Sequence, residues 1–193
     1  MIVMTTNTKR TIMDLAESLL QDKGFKGFSY AHIAGELGMK NAAIHYHFPT
    51  KEDLVCAVVQ RYCDRFQLWI NNARVKDLSP QEKLDWFFEI YASMRADHGK
   101  VCLAGSLETE FNSLPEPLRQ QTEALTGELL AWLASTLGEG QAAGVFQFKG
   151  NSEDKAALVL SSLQGALQMA RALGAEKFHA VLEQHKQDLL APV

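Results

Sequence analysis

The stretch Phe28–Phe48 constrains the fold of this chain more than any other part of its sequence. Ile33 and Leu37 lie four residues apart, as on one apolar face of a short helix, and Gly38 can adopt the left-handed backbone conformation that ends such a helix. Ile44 would anchor a second short helix from its inner side. Two helices joined at a glycine in this way are typical of the helix-turn-helix motif, whose second helix enters the DNA major groove.

The predicted second helix leaves an outward face of small and polar side chains. Asn41, Ala42, Ala43 and His45 lie on that face, where the edges of DNA bases would meet them. A glycine-centred turn also occurs in ordinary helical hairpins, which is the competing interpretation. Because the apolar spacing agrees on both sides of the turn and two further helical patterns flank it, the sequence favours DNA reading.

The charge distribution suits a protein that contacts DNA through one part only. The 193 residues carry a formal net charge of −4, which argues against a protein that coats nucleic acid without regard to sequence. Residues 1–51 contribute a net +2 and residues 52–193 a net −6. A mildly basic head on an acidic body indicates local phosphate contact by the head.

Helical periodicity runs through the rest of the chain, and no segment alternates convincingly as a strand would. We expect an all-α fold of about nine helices. A three-helix DNA-binding head is predicted over residues 8–68, with the helix-turn-helix motif at 29–48. The remaining residues, 69–193, are predicted to form a helical effector and dimerisation body.

Local signals mark where several of these helices begin and end. Thr50–Asp53 and Ser79–Glu82 have the spacing of capping boxes, and Ser152 is a predicted N-cap. Gly138 and Gly140 are expected to end the long helix that precedes Ser152.

The order of short sequence elements near the amino end resembles the DNA-binding head of the TetR family of bacterial transcriptional regulators. A helical stripe ends at Gly24-Phe25, and the segment from Ser29 to Gly38 follows. Ile44-His-Tyr-His-Phe48 then precedes a helix that starts with Lys51-Glu-Asp-Leu54. The resemblance is clear over about residues 8–68, whereas the rest of the chain matches only in helix order and length.

Membership of this family would imply an all-helical homodimer whose two heads enter successive major grooves of a palindromic operator. It would also imply a body in which a small-molecule or thiol-reactive effector controls the spacing of the heads. The residues expected to contact DNA by this resemblance are Ser29, Tyr30, Lys40, Asn41, Ala42, Ala43, His45, Tyr46, His47 and Lys51.

Three positions depart from the usual pattern of the family. Lys40 replaces a Ser or Thr cap, Ala42 replaces a common glycine, and His45 replaces a common tyrosine. Asn41 is the best candidate to read a base, because its amide can pair with adenine through two hydrogen bonds. Ala43 would contact a thymine methyl group, and Lys40 would reach a phosphate.

Aromatic and apolar side chains of the body are candidates for an effector pocket, although ordinary core packing is the competing interpretation for each of them. The predicted ligand-binding residues are Phe66, Trp69, Phe87, Phe88, Tyr91, Arg95, Cys102, Leu103, Leu107, Phe111, Trp132 and Gln164. Within this set Cys102 is also a candidate redox sensor. Nearby cationic side chains and a helix start favour its thiolate, but a free cysteine is more often a small buried residue.

Small residues on the helix predicted at 152–174 favour close approach of another helix. Together with the helix at 176–190 and their symmetry mates, they predict a four-helix homodimer interface. Packing within one chain is the alternative. His45 and His47, two residues apart on a helix, make a poor metal pair. No metal or other cofactor is therefore predicted.

The sequence also bears on compartment and on competing classes of function. The amino end lacks the apolar segment of a signal peptide, and no apolar run approaches membrane-spanning length, so we expect a cytoplasmic protein without membrane contact. No combination of nucleophile and base indicates an enzyme. A DNA-organising helix-turn-helix protein that binds DNA constitutively, without an effector, remains the alternative to a regulated repressor.

Overall fold

The computed structural model describes residues 2–96 and 99–190, with side chains described for 7–94 and 99–190. These ranges contain ten α-helices and no strand, so the predicted all-α class is confirmed. The structure has one helix more than the nine expected, because residues 73–76 form a single helical turn that the sequence pattern did not reveal. The helices are α1 (Ile2–Lys23), α2 (Tyr30–Leu37), α3 (Asn41–His47), α4 (Lys51–Ile70), α5 (Ala73–Lys76), α6 (Pro80–Ala96), α7 (Leu103–Thr109), α8 (Glu116–Ala142), α9 (Ser152–Leu173) and α10 (Ala175–Leu190).

The chain divides into two compact units. The first contains the residues up to Phe66 together with Leu103–Leu125, and the second contains Gln67–Cys102 together with the residues from Thr126 onward. The sequence placed the head at 8–68, and the division after Phe66 lies close to that boundary. The segment Leu103–Leu125, which the sequence assigned to the body, packs with the head instead.

The first unit is built around an apolar core that joins α1 to the two helices of the motif and to α4. Ile12, Leu20, Ile33, Ile44 and Leu54 each have no exposed surface. They come from four different helices, so no single helix buries its apolar stripe without the others. This core fixes the position of α3.

Capping boxes begin two helices where the sequence predicted them. The amide and hydroxyl of Thr50 donate to an Asp53 carboxylate oxygen at 2.9 and 2.7 Å. Ser79 donates to Glu82 in the same way, at 2.8 and 2.6 Å. At α9 the prediction was one residue off, because Asn151 is the N-cap and accepts a hydrogen bond from the Asp154 amide.

The prediction that Gly138 and Gly140 end a helix was wrong. Helix α8 continues to Ala142, and the chain turns at Gly144, whose φ is +72°. Gly140 is required inside the helix for a different reason, since a Cβ atom there would collide with the ring of the buried Phe146. The glycine therefore admits an aromatic side chain instead of stopping the helix.

The core of the second unit lies among α6, α9 and α10. Phe87, Phe88, Leu163 and Phe178 are almost entirely buried there, and α9 packs along α10. None of the helices that the structure describes combines the length and the apolar character needed to cross a membrane.

Candidate nucleic-acid interface and effector site

The turn between α2 and α3 has the geometry that the sequence predicted. Gly38 has φ +62°, in the left-handed region. The Met39 amide donates to the Ala34 carbonyl oxygen at 3.0 Å, which closes α2. Ile33 before the turn and Ile44 after it are both fully buried. The two helices are therefore fixed to each other by their inner faces, and the other side of α3 is left to solvent.

The outward face of α3 carries the side chains predicted to read DNA. Asn41, Ala42, His45 and Tyr46 are exposed, and Tyr46 retains 78% of its surface. Ala43 is half-buried, as is the neighbouring His47. An exposed Tyr46 makes no contribution to the core, so its large side chain is available to a partner.

Tyr30 has a different place from the one expected. Its side chain is buried, and its hydroxyl donates to the carbonyl oxygens of Phe48, at 2.9 Å, and Thr50. Burial, with a smaller contribution from Asp53, raises its pKa to about 12. The hydroxyl of Tyr30 therefore helps to hold the end of α3, and contact of this residue with DNA stays a prediction.

His45 is oriented by two contacts. Its Nδ1 lies 3.1 Å from the Pro49 carbonyl oxygen. Its ring meets the ring of Tyr30 edge to face, with 4.7 Å between centroids and 67° between planes. The opposite edge of the imidazole, which carries Nε2, is left for contacts outside the chain.

Lys40 and Ser29 stand at the starts of the two motif helices. Lys40 is the N-cap residue of α3, and its side chain is exposed, so its ammonium has room to reach a phosphate. Ser29 is the N-cap of α2, and its backbone amide donates to Nδ1 of His32 at 3.0 Å. Ser29 thus begins α2 with a capping box in which a histidine has the place that glutamate usually takes.

The ammonium group of Lys51 is directed into the head. It donates hydrogen bonds to the carbonyl oxygens of Phe25 and Phe28. It also lies 4.6 and 4.3 Å from the ring centroids of the same two residues. Burial lowers the pKa of Lys51, and Glu110 acts in the opposite direction. Lys51 therefore has a structural role that the sequence did not predict, and its contact with phosphate stays a prediction.

The segment that begins with α7 is attached to the turn after α1. The Ser106 hydroxyl donates to the Leu20 carbonyl oxygen at 2.6 Å, and the Lys26 amide donates to a Glu110 carboxylate oxygen at 3.1 Å. Gly24 has φ +75°, and a Cβ atom there would collide with Glu110. Sequence reasoning missed Glu110 because its partner is 84 residues away along the chain.

Ion pairs join α1 to α4 on another side of the head. Arg61 pairs with Asp14 at 2.6 Å and with Glu17 at 2.7 Å, and Arg65 also pairs with Glu17. Asp14, Arg61 and Arg65 also line a groove of about 410 Å³, together with Lys9, Arg10 and Met13. The two Glu17 pairs hold α1 and α4 together along part of their length.

Five of the predicted effector residues come together in the second unit. The ring centroids of Trp69 and Trp132 are 5.0 Å apart, those of Trp132 and Phe87 are 5.5 Å apart, and those of Phe87 and Tyr91 are 5.1 Å apart. The Tyr91 hydroxyl donates to the sulfur of Cys102 at 3.5 Å. This row of four aromatic rings ending at a thiol is called the aromatic row below.

The other predicted effector residues are distributed differently. Phe88 stacks on His185, with centroids 6.5 Å apart. Nε2 of Gln164 is buried and has no hydrogen-bond partner among the described residues. The side chain of Arg95 lies outside the described residues. The remaining four belong to the first unit: Phe66, Leu103, Leu107 and Phe111.

The fold and the exposed face of α3 together define a helix-turn-helix DNA-binding protein. Residues 12–58 match the family described as "Bacterial regulatory proteins, tetR family", and residues 80–185 match "Tetracyclin repressor-like, C-terminal domain". The second match alone covers more than half of the chain. The chain belongs to the TetR family of bacterial transcriptional regulators, and it is a DNA-binding transcriptional regulator.

Individual relatives agree with this assignment. An HTH-type transcriptional regulator in the lacX 3' region of Lactococcus lactis is 29% identical over 136 residues, which is 68% of each chain. The HTH-type transcriptional repressor KstR2 of Mycolicibacterium smegmatis is 26% identical over 110 residues, 54% of this chain and 52% of that protein. A TetR-family regulator from Agrobacterium tumefaciens has a structure with a TM-score of 0.89 and 30% identity, over 97% of this chain and all of the other.

Replacing Lys51 with methionine tests its structural role. We expect Lys51→Met to lower the free energy of unfolding by about 1–3 kcal/mol, because two part-buried carbonyl oxygens lose their donor. Urea unfolding at one fixed protein concentration measures this difference. Lys26→Met removes an exposed charge from the same head and should change stability little. Unchanged stability of Lys51→Met, with weaker DNA binding, would show that Lys51 acts only as a phosphate contact.

Proposed function

We propose that this regulator is a repressor that a small effector releases from a palindromic operator. The observation that carries the proposal is the exposed outer face of α3, held rigidly by a fully buried Ile44 on its inner face. The relative that is named as a repressor supports repression over activation. A DNA-organising protein without an effector is the less favoured alternative. We assign the protein to the cytoplasm, where bacterial DNA lies.

Of the side chains on α3 and directly before it, we propose that some read bases and that others contact phosphates. Asn41 and Ala43 would face base edges, the first as a bidentate partner of adenine and the second against a thymine methyl group. Lys40, Tyr46 and His47 would contact the phosphate backbone, which sets orientation and affinity without reading sequence. The exposed position of Lys40 directly before α3 supports its assignment.

DNA selection with the purified protein tests this division of roles. Wild-type protein should enrich a two-fold symmetric sequence whose half-sites are about one helical turn apart. Asn41→Ala should lose about 1–3 kcal/mol of discrimination at one base position of each half-site. Lys40→Ala should instead weaken binding to all sequences alike and reduce its salt dependence. Failure of the wild-type protein to enrich any DNA would contradict the proposed function.

An exposed stripe on α9 supports a homodimer through α9 and α10, the helices predicted at 152–174 and 176–190. Leu158, Met169 and Leu173 retain 56%, 45% and 65% of their surface. Ser161 and Gly165 lie between them at helical spacing, and a Cβ atom at Gly165 would meet nothing within 4 Å in its own chain. Small central residues flanked by exposed apolar side chains are suited to close approach by a second helix.

Replacing Gly165 with tryptophan tests the predicted interface. The large side chain has space in the single chain but would separate two helices that approach there, so we expect the dimer to dissociate and operator affinity to fall. Sedimentation over a range of concentrations measures the assembly state. Gly127→Trp is the matched control, because Gly127 on α8 is also exposed and open around its Cβ position. A Gly165→Trp protein that stays dimeric would contradict this interface.

For the effector we propose a small apolar molecule that acts on the aromatic row. Aromatic side chains with a few polar groups are the common lining of sites for such ligands. The alternative, an electrophile or oxidant that modifies Cys102, is supported less well, since only 1% of that residue is exposed. Cys56 is also a poor target, because burial raises its pKa, with smaller contributions from Glu52 and Asp53.

Alkylation distinguishes the two effector classes. We treat protein that lacks Cys56 and Cys63, with alanine in both places, with N-ethylmaleimide and then measure operator affinity. Affinity should be unchanged, because the thiol of Cys102 is enclosed and accepts a hydrogen bond from Tyr91. A loss of affinity that disappears when Cys102→Ala is added would instead make Cys102 the sensor.

A further inference from the structure

The hydrogen bond of His45 fixes which of its ring nitrogens carries a proton. Nδ1 faces the carbonyl oxygen of Pro49 at 3.1 Å. A carbonyl oxygen only accepts hydrogen bonds, so Nδ1 must be the donor and carry a hydrogen. In the neutral ring, Nε2 is then a bare acceptor. The edge-to-face contact with Tyr30 holds the ring in this orientation.

This tautomer limits what His45 can bind. Phosphate oxygens, and the O6 and N7 atoms of guanine, are all acceptors. Nε2 can donate to them only after the imidazole gains a second proton, and the resulting positive charge is stabilised by the phosphates nearby. A tyrosine in the same place would donate its hydroxyl hydrogen without any change of charge. His45 therefore makes the contact conditional on protonation.

In His32 the hydrogen-bonding role of Nδ1 is the reverse of its role in His45. Its Nδ1 accepts a hydrogen bond from the Ser29 amide at 3.0 Å, so protonation of that nitrogen would break the capping contact of α2. Protonation of His45 breaks no contact of the head, because its Nδ1 already donates. The ring of His47 meets the ring of Tyr46 edge to face, with 5.2 Å between centroids.

We propose that each half of the dimer takes up one proton at His45 when it binds the operator, so that affinity increases as pH falls. This inference rests on the proposed function, since it requires α3 to lie against DNA. The inference gives His45 a specific chemical role: its Nε2 donates a hydrogen bond only after the ring has taken up a proton. The family commonly has tyrosine at this position.

Charged groups on the neighbouring elements affect the pH at which operator affinity changes. They do not affect the direction of that change. Tyr30, from α2, stays neutral because its pKa is about 12. Asp53, at the start of α4, is bound to Thr50. Lys9, from α1, lies 5.3 Å from the ring centroid of Phe48, and Lys40 precedes α3. Between about pH 5.5 and about pH 8, carboxylic acids and amines in general do not change their charge, whereas histidines in general do.

The test compares wild-type protein with His45→Gln on one labelled operator from the DNA selection. Anisotropy is measured between about pH 5.5 and about pH 8 at constant ionic strength. Wild-type affinity should rise by up to about 10-fold per pH unit for each proton taken up. Glutamine offers an amide donor at every pH, so His45→Gln should bind with a much flatter pH profile. His32→Gln should keep the wild-type slope.

Calorimetry supplies a measurement that needs no variant. Binding heats measured at one pH in buffers of different ionisation enthalpy should show uptake of up to about two protons per dimer. A wild-type protein with no proton uptake, or with affinity that falls as pH falls, would overturn the inference; the second result would mean that Nε2 accepts from a base. An equal slope in His45→Gln would also overturn it. Failure to bind any DNA at any pH would instead contradict the proposed function.

Discussion

Helix α3 has only seven residues, which is too short for a helix to persist by itself in water. Its position therefore depends on the burial of Ile44 on its inner face and of Phe48 at its end. The hydroxyl of Tyr30 adds hydrogen bonds to the chain just after α3. All of these contacts lie on the inner side of α3. The rest of the head serves to present the other side of α3, with Asn41 and His45, to a partner.

Two charged side chains of the head, Lys51 and Glu110, bind backbone groups of the turn after α1 and help to fix the helices that present α3. Lys51 joins the start of α4 to the turn after α1. Glu110 binds the same turn through the Lys26 amide and raises the pKa that burial of Lys51 lowers. Because Glu110 follows α7, the segment immediately after Cys102 is attached to the head.

Sequence reasoning found the features that depend on near neighbours in the chain. The left-handed Gly38, the capping boxes of Thr50 and Ser79, and the buried Ile33 and Ile44 all follow from spacing within a few residues. It failed where distant contacts decide the outcome. Gly140 lies inside α8, where its missing side chain leaves room for the ring of Phe146. The inward positions of Tyr30 and Lys51, and the attachment of Glu110, require knowledge of which helices meet.

The central claim is that the outer face of α3 enters the major groove, and chemical protection of DNA tests it directly. Dimethyl sulfate methylates guanine N7 in the major groove and adenine N3 in the minor groove. The bound protein should protect guanine N7 in two patches about 10 base pairs apart, and the minor-groove positions between them should stay reactive. Protection confined to adenine N3, or a single patch, would contradict this account of the interface.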